Sequence, residues 1–151
     1  MPPRTESQTE LCLSLEELTL TFSLLGQAPL AKTMLNDRLG ERNADEIRGR
    51  MMAAGNGLLA KGVFFLDGDK LAMGHAYADV FRPMINAEYT LQCTAFGADT
   101  PVESLTIYVQ ENQFVEHVSH DGIFHSLQMM AGLSAAIHRI EDFFQLPFLD
   151  D

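Results

Sequence analysis

The sequence predicts an α+β domain: a helical N-terminal half with a small hairpin, then an antiparallel meander closed by a C-terminal helix. Three observations carry this. Apolar residues recur at helical spacing as far as Met84. From Tyr89 to Ser119 the period is two, the spacing of strands. After Leu133 the helical period returns.

Taken in order, Ser14-Leu15-Glu16-Glu17 has the S-x-x-E form of a capping box, with Leu13 and Leu18 placed as its hydrophobic staple. Leu15, Leu18, Phe22 and Leu25 predict helix 1 over Leu15–Leu25, ended by Gly26. A second helix runs from Pro29 to Leu39, before Gly40, with Leu30, Met34 and Leu35 as its apolar stripe. Asn43 is a good N-cap for a third, and Asp45 and Glu46 suit its positive first turn. Ile47, Met51, Ala54, Leu58 and Leu59 form its apolar face. Gly49, Gly55 and Gly57 each cost about 1 kcal/mol in a helix interior relative to Ala. They either permit close helix packing or break the run near Gly55-Asn56-Gly57; one continuous helix is the reading adopted.

Gly62 sits where a residue just past a helix end belongs. Asp67-Gly68 then joins the apolar runs VFFL and KLAM as a tight hairpin. Met73, Ala76, Tyr77, Val80, Phe81 and Met84 predict a fourth helix, with Pro83 marking its end. Strands follow over Glu88–Phe96, Leu105–Gln110 and Gln113–Ser119, with a loop at Gly97–Pro101 and turns at Glu111-Asn112 and Asp121-Gly122. Ile123–Met130 reads equally as a fourth strand or as the start of the last helix. That helix carries Leu133, Ala136, Ile137, Ile140 and Phe144 on one stripe and stops before Pro147. Residues 1–10 read as a disordered lead to a single domain at 11–151. Its helical half, 11–84, and sheet half, 85–151, are expected to share one core.

With 151 residues and 46% hydrophobic content, the chain can bury a core without a staple. Cys12 and Cys93 are too few for a disulfide framework, and no apolar run approaches the ~20 residues that span a bilayer. The first residues lack the pattern of a secretory signal. A cytoplasmic location follows as the expectation. Net charge is −11, unevenly spread. Lys32–Lys70 holds seven basic and six acidic residues; the rest holds three basic and fifteen acidic, a net of −12. Such a body repels a phosphate backbone.

Helix, short break, helix and hairpin over Glu41–Met73 resemble the winged helix-turn-helix superfamily at the level of pattern. That resemblance implies either a DNA-binding module, with Arg48 and Arg50 on a recognition helix, Lys61 at its end and Lys70 on the wing, or a protein-binding scaffold. Arg48 and Arg50 diverge by about 200° around a helix, so only one can face a groove squarely. The whole arrangement also looks faintly like secretion-associated chaperones of the bacterial type VII kind.

Chemistry-bearing constellations are sparse. HVSHDGIFH gathers three of the five histidines. With Asp121-Gly122 as a two-residue turn, His120 and His125 lie diagonally on one face, about 7–8 Å apart at Cα, and His117 points to the other. His120, Asp121 and His125 are then the candidate metal ligands, although no further side chain completes the set. The plainer reading makes them half-exposed strand and turn residues. Cys93 reads as an inert core residue. Glu16-Glu17, Asp45-Glu46 and Glu141-Asp142 look like solvated faces and helix-start charges. No catalytic residues and no cofactor are assigned. The expected function is a non-enzymatic protein-interaction, adaptor or chaperone-like domain. The alternative is an acidic DNA-binding transcriptional regulator whose sheet half senses a ligand or dimerises. Glu88–Phe96 has neither lysine nor proline, yet it reads as a sheet edge. Its cover would be the N-terminal residues or a second subunit of a homodimer.

Overall fold

The computed structural model describes residues 10–96 and 103–145, and all structural statements below concern these. The fold is α+β, in the order β1 (Leu11–Ser14), α1 (Leu15–Leu24), α2 (Ala28–Leu39), α3 (Ala44–Ala60), β2 (Phe64–Asp67), β3 (Lys70–Met73), α4 (His75–Ile85), β4 (Tyr89–Ala95), β5 (Glu103–Gln110), β6 (Gln113–His120), β7 (Phe124–Met130) and α5 (Leu133–Phe144). β2 and β3 form a separate hairpin. The other strands make one antiparallel sheet in the order β1-β7-β6-β5-β4.

The local signals explain most boundaries. The Ser14 hydroxyl accepts from the Glu17 N–H, and the Glu17 carboxylate accepts in return from the Ser14 N–H, so the capping box is complete. Asn43 caps α3 through the Glu46 N–H. α3 is one helix of 17 residues, as read. Its Gly57 permits close approach: a Cβ there would collide with the Glu17 carboxylate of α1. Ile123–Met130 resolves as strand from Phe124. The Gly97–Pro101 loop lies outside the described residues.

Two local readings need correction. Leu11–Ser14, in which only the Leu13 staple and the Ser14 cap of helix 1 were expected, is a strand: Leu11 and Leu13 are buried, and the segment pairs with β7. Pro83 does not end α4, which runs on to Ile85. Pro83 is almost wholly buried, and packing there outweighs the lost helical hydrogen bond.

The sheet has helices on both faces. α4 crosses β5, β6 and β7 while α1 packs on β1 and β7, and α5 covers β5 and β6 from the other side. The helical and sheet halves share a core on the α1/α4 side, and a second cluster lies under α5. Leu13, Leu18, Phe22, Leu58, Phe81 and Leu127 belong to the cluster on the α1/α4 side. Phe22 and Phe81 meet edge to face there, with centroids 6.2 Å apart. Leu105, Ile107, Phe114, Val118 and Ala136 form the cluster under α5. Each fully buried aliphatic or aromatic side chain contributes about 1.5–3 kcal/mol through removal from water. The β5 side opposite Leu105 and Ile107 is only partly exposed: Thr106 is buried and Tyr108 half-buried.

Candidate functional site

On the α1/α4 face of the sheet, apolar cover stops short of the β4 side. The uncovered part is the floor of a cleft of about 520 Å³, walled by Leu15 and by Met34, Asp37 and Arg38 of α2. β4 supplies Thr90 and Gln92, β5 supplies Ser104, Thr106 and Tyr108, and β6 and β7 supply His117, Ser119 and His125. Register brings them together: Gln92 pairs with Thr106, Thr106 with His117, and Ser119 with His125.

His117 and His125 form the centre of this face. His117 Nε2 and His125 Nδ1 are 2.9 Å apart, a hydrogen bond between buried rings. The Tyr108 ring lies nearly parallel to that of His117, with centroids 6.2 Å apart. Burial, and then the neighbouring His125, push the His117 imidazolium down to about 3. Burial also lowers His125, against the raising effect of a hydrogen bond to the Gly122 backbone. Both rings are therefore neutral at pH 7. Their outer nitrogens, Nδ1 of His117 and Nε2 of His125, are buried and have no partner among the described residues. A buried polar group left unmatched costs about 1–3 kcal/mol.

The candidate metal set is not assembled. Asp121, Gly122 and Ile123 make a three-residue connection, and His120 pairs with Phe124, one residue away from the register expected for a two-residue turn. A one-residue slip exchanges the faces. His125 consequently joins His117, while His120 points to the other face and meets Glu103 at 3.1 Å. Asp121 is exposed in the turn with φ 53°. Among the described residues no three His, Cys, Asp or Glu side chains converge as metal ligands. The sequence reading missed His117, Tyr108 and Thr106. The turn length was the missing signal: both sheet faces carry apolar residues, so alternation alone does not choose the register.

The four basic residues of the DNA reading are separated. Arg48 is exposed and 3.8 Å from Asp45. Arg50 bridges Glu16 at 2.8 Å and Glu46 at 3.2 Å. Lys61 donates to Glu17 at 2.6 Å and to the Cys12 carbonyl at 2.9 Å. Lys70 is exposed at the hairpin turn. Glu16 and Glu17 are thus not solvated charges, as expected, but the acidic side of the α1–α3 contact. Cys93 is buried, as read.

Apolar side chains remain exposed on the hairpin, on β4 and on α5. The hairpin exposes Phe65, Leu66 and Leu71, with Leu66 69% accessible. β4 is paired only to β5, which makes it a sheet edge as expected, and it leaves Tyr89 71% and Leu91 49% accessible. The described N-terminal strand lies at the opposite edge, and most of residues 1–10 lie outside the described region. No described helix is long and apolar enough to cross a membrane.

Fold and site together define a small α+β domain whose five-stranded sheet has β1 and β4 as its edge strands and carries a cleft on its α1/α4 face. The chain belongs to the family described as "Uncharacterised protein YfjC", whose profile covers residues 10–151. No curated protein and no solved structure matches it significantly.

Proposed function

We propose that this protein works without catalysis, as a cytoplasmic adaptor or chaperone-like domain that binds another polypeptide. The observation that carries the reading is the free β4 edge. Edges are ordinarily blunted by lysine, proline or a bulge, because unpaired N–H and C=O groups template further strands. Tyr89–Ala95 contains neither lysine nor proline, and its own Tyr89 and Leu91 are exposed. An extended segment added there gains main-chain hydrogen bonds, with side-chain contacts supplying specificity. The exposed apolar side chains of the hairpin strands offer a second contact surface. The acidic partners of Arg50 and Lys61 favour this reading over DNA binding, because those cations already neutralise carboxylates within the fold.

The test is affinity capture from native-host lysate with the wild type and a Tyr89→Lys/Leu91→Lys variant. Both positions are exposed, so the fold is retained. The expected result is a protein recovered with the wild type and lost with the variant. Equal recovery by both would refute the role of the edge.

A further inference from the structure

α2 and α3 both pack on α1 and scarcely touch each other. The groove between them measures about 450 Å³, within the range of small-molecule sites. Its walls are apolar. Leu20 of α1, Leu35 of α2, and Ile47 and Met51 of α3 line it, and all four are only half-buried. A close-packed interior leaves no such volume beside apolar side chains. Thr19 also lines the groove, but its hydroxyl already donates to the Glu16 carbonyl at 3.1 Å. The charged residues of the lining are Lys32 and Arg42, with no Asp or Glu among the described ones, in a chain with 21 acidic and 10 basic residues. Lys32 shares a face of α2 with Leu35, is exposed, and enters none of the ion pairs within the described residues. Arg42 is anchored by its Nε, which donates to the Leu39 carbonyl at 3.0 Å. Glu46 lies 3.6 Å from Arg42 Nη1 but is held closer by Arg50, at 3.2 Å.

We propose that this groove binds a straight-chain aliphatic carboxylate of the medium-chain fatty acid class, its alkyl chain between α2 and α3 and its carboxylate at Lys32 and Arg42. The alkyl chain gains from covering Leu20, Leu35, Ile47 and Met51. The carboxylate meets two cations, and with Arg42 its hydrogen bonds are charge-assisted. An alkyl ammonium is repelled by the same two groups, a neutral alcohol leaves them without a counter-charge, and a bare phosphate has nothing to place on the apolar walls. None of the lining belongs to the sheet, so the site stands or falls independently of the β4 reading.

The experiment titrates protein labelled at its isoleucine, leucine and methionine methyl groups with hexanoate, octanoate and decanoate in turn, following the methyls by NMR. Ile47 and Met51 should shift saturably, with Leu66 on the hairpin as the exposed apolar control. Affinity should rise about fourfold for each added methylene. Lys32→Glu, a change at an exposed position, should weaken decanoate about fivefold or more and leave the weaker binding of decanol unchanged. The proposal is overturned if about 5 mM decanoate, enough to reveal a millimolar site, leaves Ile47 and Met51 unmoved. It is overturned as well if Leu66 shifts in step with them, if decanol or decylammonium binds as tightly as decanoate, or if Lys32→Glu leaves decanoate affinity unchanged. A bilayer is the other source of acyl chains beside anionic heads. Shifts at Ile47 and Met51 with phosphatidylglycerol vesicles but not with free decanoate would also overturn it.

Discussion

At the scale of single residues, Gly57 and Gly49 occupy the same helix but answer to different forces. Nothing lies within 4 Å of a Cβ built at Gly49, whereas at Gly57 it meets the Glu17 carboxylate. That carboxylate is buried and fixed by the Ser14 N–H and Lys61, so it cannot swing away freely. Gly49→Ala is expected to stabilise the protein by up to about 1 kcal/mol through helix propensity. Gly57→Ala should instead destabilise it, despite the same propensity gain. Urea midpoints of the two variants decide this, and equal gains would show that the Glu17 contact is slack. His117 gives the pH dependence. Its folded value of about 3 lies below the ordinary 6.5, so between those values the unfolded chain binds more protons. Stability is therefore full above pH 6.5 and falls as pH drops towards 3, by at most about 1.4 kcal/mol per unit from this group. Denaturant midpoints from pH 7 to pH 4.5 should decline, and His117→Gln should flatten the decline. A wild-type midpoint that rises with acid would contradict the assignment.

Among the elements, α4 is the joint of the fold. Phe81 packs on Phe22 of α1 while its helix lies across β5, β6 and β7. Phe81→Ala should cost about 3–5 kcal/mol, the usual loss for a large core aromatic. A calorimetric or urea-derived loss below about 1 kcal/mol would mean that α4 is not a core element. Helical spacing alone made α4 legible, as Ser14 and Asn43 made the starts of α1 and α3. What stayed hidden depended on tertiary pairing. Leu11–Ser14 is too short to show alternation, and it becomes a strand because β7 offers an edge. The β6–β7 register was ambiguous because α5 and α1/α4 bury both faces, leaving no polar side to fix it. The cleft was invisible for the same reason: His117 and His125 share a face only when the connection has three residues.

For the whole molecule, the distribution of charge and of apolar surface sets the expected partner. The −12 net charge outside Lys32–Lys70 and the internal pairing of Arg50 and Lys61 leave little cationic surface. At about 0.15 M salt the Debye length is about 8 Å, so the few remaining cations act only locally. Fluorescence anisotropy should accordingly detect no binding to random duplex DNA at that salt. A micromolar dissociation constant that weakens with added salt would restore the regulator reading. The central claim is that the free β4 edge receives another polypeptide. Its most direct measurement is photo-crosslinking in host cells, with the photoreactive residue placed at Gln92, mid-strand on β4, and at Asp45 as an exposed control. The account predicts a discrete protein adduct from position 92 and none from position 45. No protein adduct at 92, or the same adducts from both positions, would contradict it.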